Sequence, residues 1–156
     1  MKKQTSGRLL NVLIQMGEAL QNSGAEIYRV EDTLNRIGYA CGAEEMNVFV
    51  ITSSIVITLK MPGEESLTQT RRLRNSGNND FVKLEELNEL SRQICKSKIS
   101  LEEFEAELQK IVSQKANEKM LLLGNILAAA SFCIFYGGNL WDCLIAGTVG
   151  AGIWLL

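Results

Sequence analysis

The stretch Ser23–Thr33 holds the densest set of side chains able to bind or move a charge: Glu26, Tyr28, Arg29, Glu31 and Asp32. Carboxylates, a phenol and a guanidinium grouped this way could form a substrate-binding site, a gate or a docking face. The spacing also suits simple ion pairs. Glu26 and Arg29 are three apart and Asp32 and Arg36 four apart, so each pair meets on a helix surface. Acid/base work of the glycosidase kind needs a second acidic site at a defined spacing, and none accompanies them.

Two further polar groups stand in an apolar tail, Asn125 and Asp142. A carboxylate between two hydrophobic runs is expensive in hydrocarbon and usually functional there. Two readings are open for Asp142: an interfacial cap on the helix that follows it, or a substrate or proton site. Asn125 is open in the same way, between interhelical glue and solute ligand.

Other chemistries are excluded. The chain has no histidine, which removes Ser-His-Asp and Cys-His hydrolase arrangements and any histidine metal site. Cys41, Cys95, Cys133 and Cys143 form no C-x-x-C pair and read as reduced, small hydrophobes. There is no glycine-rich phosphate loop or ATP motif, so any transport is secondary. No enzyme, cofactor or metal is expected. Nucleic acid is not a partner either, because the charged part of the chain is nearly balanced. All sixteen Lys and Arg, and all but one of the eighteen acids, precede residue 120.

The elements that position these groups follow from periodicity. Leu9, Val12, Leu13, Met16 and Leu20 predict a first helix over about 5–21. Ser23, with Glu26 three residues on, reads as a capping box opening a second helix. Its apolar face is Ile27, Val30, Leu34, Ile37 and Cys41, and Gly42 ends it. The short link makes the two helices antiparallel neighbours. Met46–Thr52 is β-rich with little polar relief, so a strand covered on both sides is expected there. Ser53-Ser54 would turn it into a second strand over Ile55–Lys60. After Pro62-Gly63, Ser66–Arg72 completes an antiparallel meander as its edge. Arg71, Arg72 and Arg74 either decorate that edge or meet anionic headgroups or an anionic solute.

A loop over 75–80 leads, with Asn79 or Asp80 as cap, to a third helix marked by Leu84, Leu87, Leu90 and Ile94. Ser100 and Glu103 form a second capping box before a fourth helix, whose Glu102, Glu105 and Glu107 read as a solvated face. The expected fold is therefore α+β: helix-helix, small antiparallel sheet, helix-helix over residues 1–116, then transmembrane helices over 117–156. The first span covers about 118–137. The second, about 142–156, is shorter than the roughly 20 residues a full span needs. Gly137, Gly138, Gly147, Gly150 and Ala151 are expected to serve helix packing, the first two at the turn and the others as a small-residue face of the second span. Lys110, Lys115 and Lys119 precede the first span and no Lys or Arg follows it, which puts the N-terminal domain in the cytoplasm. Met1-Lys-Lys does not open a signal peptide, since Asn11, Gln15 and Glu18 interrupt the following run.

Three stretches resemble the threonine/serine exporter family: Ser-Gly-Ala-Glu-Ile-Tyr-Arg-Val-Glu-Asp-Thr from Ser23, Asn-Val-Phe-Val-Ile-Thr-Ser-Ser-Ile-Val-Ile-Thr from Asn47, and Phe-Tyr-Gly-Gly-Asn-Leu-Trp-Asp ending at Asp142. The resemblance covers nearly the whole chain. It implies the N-terminal domain, truncated within the membrane region, or one subunit of a multi-pass exporter in the cell membrane. The substrate class implied is threonine, serine or a dicarboxylate such as succinate. A second small membrane subunit and a homo- or hetero-oligomer in the lipid bilayer are implied with it. Gly137, Gly138 and Asp142 match the family pattern. The alternative is a membrane-anchored cytoplasmic sensor or interaction domain without transport. A soluble hydrolase with a buried tail fits worse, given the missing histidines.

Overall fold

The computed structural model describes residues 2–73, 79–97, 99–115 and 117–154, the side chains at 2–4 and 154 excepted. The order is α1 (Lys2–Asn22), α2 (Ile27–Ala40), β1 (Glu45–Ile51), β2 (Ser54–Lys60), β3 (Leu67–Arg72), α3 (Phe81–Ser97), α4 (Leu101–Ser113), α5 (Glu118–Phe135) and α6 (Leu140–Trp154). The chain divides into two compact units, Met1–Gln114 and Lys115–Leu156. The fold is α+β, with six helices and a three-stranded antiparallel sheet among the described residues.

In the first unit α1 is the central element. It packs against α2, β2, β3, α3 and α4, and Leu9, Leu10, Val12, Leu13, Ile14, Met16, Ala19 and Leu20 are all buried. Neighbours on several sides bury more than the single stripe that periodicity marks. At Gly17 the neighbours come so close that a Cβ would lie 2.9 Å from Ile55 Cδ1 and Leu34 Cδ1.

The expected Ser23 capping box does not form. Glu26 is the N-cap of α2 and makes no side-chain cap bond. Ser23 and Gly24 instead terminate α1. Gly24 takes φ +95°, its N–H donates to Gln21 O at 3.1 Å, and Ala25 N–H donates to Leu20 O at 3.0 Å. That is a Schellman end, which needs a left-handed residue where a Cβ would be strained. Gly42 ends α2 in the same way, with Ala43 N–H on Gly38 O.

The sheet order is β1-β2-β3. Thr52-Ser53, one residue earlier than expected, turns β1 into β2, because Ile51 pairs with Ser54. The inner face carries Val50, Ile55, Ile57 and Leu59, all buried. The expectation that β1 is covered on both faces is overturned. Phe49 is 55% exposed and Ile51 40%. Helices α1 and α2 pack against the sheet, and Phe49 pairs with Val56 on its open side. The apolar run in β1 had concealed this alternation.

The basic edge splits. Arg71 Nη1 reaches Glu18 Oε2 of α1 at 3.1 Å, whereas Arg72 is exposed. Arg74 lies outside the described residues, as does most of the expected loop over 75–80. Asp80 caps α3, accepting from Lys83 N–H at 3.0 Å. Ser100 and Glu103 form both bonds of the box that opens α4. The acidic side of α4 is more than a solvated face, since Glu102 and Glu105 both hold Arg8 of α1, at 3.2 and 2.8 Å. These carboxylates raise the Arg8 pKa, with Glu105 the larger cause.

The second unit is the α5–α6 hairpin. By length and composition, α5 is the one helix among the described residues able to cross a membrane, with 18 residues and mean hydropathy 1.5. It buries none of that length within the protein. The apolar helix α6 is shorter.

Candidate functional site

The candidate residues fall into two groups, one in each unit. The first rides on α2, which Val30, Leu34 and Ile37 anchor to the core. Glu26, Tyr28 and Arg29 are exposed, Tyr28 by 66%. No ion pair joins Glu26 to Arg29 among the described residues, whereas Asp32 does pair with Arg36 at 3.0 Å. Glu31 is turned inward. Its Oε1 accepts from Val50 N–H at 2.8 Å, tying α2 to β1, the edge strand of the sheet. Gln21 Nε2 donates to Ile51 O at 3.1 Å from the end of α1. Glu31 therefore occupies a backbone N–H on the open edge of the sheet, where no neighbouring strand pairs.

The second group lies on the hairpin. Gly137, at φ +84°, closes α5, and Gly138 N–H returns to Cys133 O at 2.9 Å. A Cβ at Gly138 would collide with Cys133 Sγ. Asn139 then opens α6. Its Oδ1 accepts from Trp141 and Asp142 N–H at 2.9 and 3.0 Å, while Asp142 Oδ2 accepts from Asn139 N–H at 2.9 Å. Asp142 thus closes a reciprocal cap at the start of α6. Sequence reasoning overlooked Asn139, although Asn-x-x-Asp is the spacing of such a box. It also left unused the aromatic cluster at this end. Phe135, Tyr136 and Trp141 are 82%, 81% and 74% exposed, and the Phe135 and Tyr136 rings meet edge to face.

Asn125 turns its amide back on α5, Nδ2 donating to Leu121 O at 3.0 Å. Gly147 and Gly150 let the helices approach. A Cβ at Gly150 would lie 3.0 Å from Ala129 Cβ and 3.2 Å from Asn125 O, and one at Gly147 3.3 Å from Ile126 Cγ2. Beside this contact runs an apolar groove of about 290 Å³, walled by Ile126, Ala130, Cys143, Leu144, Gly147 and Ala151 among others. Asn125 and Asp142 are not among its walls. No group of three or more His, Cys, Asp or Glu able to hold a metal ion occurs among the described residues.

A family model, ThrE, described as a putative threonine/serine exporter, matches residues 11–156. The chain belongs to the threonine/serine exporter family. No curated protein and no solved structure matches it. Membership of the threonine/serine exporter family makes it a membrane transport protein concerned with amino-acid export. Much of what drew attention in this family member's Ser23–Thr33 stretch is explained by folding. Ser23 and Gly24 end a helix, Val30 is core, Glu31 holds a strand, and Asp32 pairs along its own helix. Glu26, Tyr28 and Arg29 remain as the solvent-facing part.

Proposed function

We propose that this chain is a subunit, or the N-terminal part, of a secondary exporter of threonine and serine. The observation that carries the proposal is the family match over residues 11–156. The unburied apolar length of α5 and the absence of an ATP motif support it. The family description names threonine and serine, so a dicarboxylate is kept only as a comparison solute. In this reading α5 and α6 sit in the cell membrane of a multi-pass assembly. Residues 1–114 lie in the cytoplasm, on the side where Lys110, Lys115 and Lys119 cluster. A second small membrane subunit, or further spans, completes the pathway, because a two-helix hairpin encloses no channel. Glu26, Tyr28 and Arg29 face the cytoplasm, where solute or partner arrives. Asp142 sits at the outer turn, where its charge would meet solute leaving.

The experiment is efflux of labelled threonine, serine and succinate from cells lacking their own exporters, expressing the full reading frame with any adjacent small membrane-protein gene. Efflux of threonine or serine well above the empty vector supports the proposal. Efflux of succinate alone would change the substrate class. With none moved and the protein stable in the membrane, the second reading stands: a membrane-anchored sensor or interaction domain. The compact Met1–Gln114 unit, with a hydrophobic core of its own, is the observation that favours this second reading.

A further inference from the structure

The adjoining ends of α3 and α4 expose apolar side chains that serve no core. Phe81 and Val82 open α3 with 68% and 69% of their surface in solvent, and Val112, at the end of α4, is 43% exposed. These ends are held together. Lys83 Nζ donates to Val112 O at 3.5 Å and to Gln114 O at 3.1 Å, a cation on the carbonyl end of a helix, where the dipole favours it. Asp80, the cap of α3, lies 4.0 Å from the same ammonium. Phe81, Val82 and Val112 thus stand at the same end of the α3–α4 pair, a tip that Lys83 ties together.

The place of this tip in the chain decides what covers it. Gln114 is the last residue of the first unit, and α5 begins at Glu118. Four residue steps reach at most about 14 Å. If α5 enters the bilayer at its N-terminus, Gln114, which Lys83 of the tip holds, is tethered within that distance of the entry point. The headgroup layer on each side of the hydrocarbon core is about 5–7 Å deep, so exposed rings and branched side chains on so short a tether can reach it. Large exposed apolar side chains beside a membrane anchor are the pattern of interfacial contact.

We infer that Phe81, Val82 and Val112 form a lipid-contacting tip that settles into the headgroup layer of the bilayer crossed by α5, fixing the first unit against the membrane. The inference rests on the membrane reading of α5.

The test uses the full chain in vesicles of phosphatidylethanolamine and phosphatidylglycerol. The photoreactive residue p-benzoylphenylalanine is placed singly at 81, 82, 132 or 96. Phe132 lies on α5 and is 65% exposed. Lys96 is exposed at the far end of α3, about 22 Å along the helix from Phe81. The expected result after irradiation is a mass gain of one phospholipid at 81, 82 and 132, and none at 96. Because 81 and 82 are probed separately, one poorly folding variant does not decide the outcome. Lipid adducts at 132 with none at 81 and 82, or adducts to protein at 81 and 82, would overturn the tip while leaving the membrane reading of α5 intact. No lipid adduct at 132 would remove that reading and the tip with it.

Discussion

Glu31 Oε1 and the Val50 N–H are joined by a 2.8 Å hydrogen bond. It converts the most suggestive acid of the Ser23–Thr33 stretch into a fastening. Val50 sits on an edge strand with its side chain in the core, and its N–H would otherwise lack a partner. A hydrogen bond to a charged group is worth about 1.5–3 kcal/mol, and an orphaned buried donor costs a similar amount.

Glu31→Ala should therefore destabilise the first unit by about 2 kcal/mol. Glu31→Gln, which keeps an oxygen acceptor, should lose less than half of that. Hydrogen exchange of the full chain in detergent checks this, with faster exchange at the Val50 amide in Glu31→Ala. Unchanged exchange would return Glu31 to the candidates for binding or gating.

Gly150 faces the backbone of α5, whereas a Cβ at Gly152 would meet nothing within 4 Å. Gly150→Leu should force the helices apart, with an overpacking penalty of about 1–3 kcal/mol. Gly152→Leu should leave the hairpin as it is. Melting temperatures of the two variants in the same detergent separate the cases, and equal values would contradict the packing described.

Burial pushes the Cys41 thiol pKa above its ordinary value, with nearby Cys95 adding to the effect. Cys95 is exposed. The thiolate is the reactive form, so a raised pKa means less of it at any given pH. At pH 8 iodoacetamide should alkylate Cys95 well before Cys41. The Cys41 rate should keep climbing as pH rises past the ordinary thiol range. Mass spectrometry of peptides from the folded chain reads both rates, and faster labelling of Cys41 would contradict its placement.

Local signals were legible before the fold was known. The Ser100–Glu103 box, the Asp80 cap, the Gly42 end and the antiparallel meander all depend on neighbours a few residues apart. What escaped was set by distant partners. Arg8 meets Glu102 and Glu105 across the whole first unit, Arg71 meets Glu18, and Glu31 finds a strand amide. Ser23-Gly24 failed for another reason. Ser followed by Gly suits either the end of one helix or the start of the next, and the chain uses it to end α1. In the candidate site, Tyr28 and Arg29 were legible as an exposed face. The Asn139–Asp142 box was present in the sequence but overlooked beside the more conspicuous charge.

That box separates two roles for Asp142. Asn139→Ala should weaken the start of α6 by about 1 kcal/mol. Asp142→Asn keeps an oxygen to accept from Asn139 N–H, so its hairpin should melt near the wild-type temperature. Circular dichroism of both variants in detergent makes the comparison, and a large loss in Asp142→Asn alone would mean that its charge serves folding.

The central claim is that this chain exports threonine and serine, and efflux tests it most directly. Cells loaded with labelled threonine should lose it faster when the full reading frame is expressed than with empty vector. The proposed role of Asp142 predicts that Asp142→Asn, present in the membrane at equal amount, abolishes the gain. Wild-type efflux no faster than empty vector for threonine and for serine, with the protein in the membrane, would contradict the account.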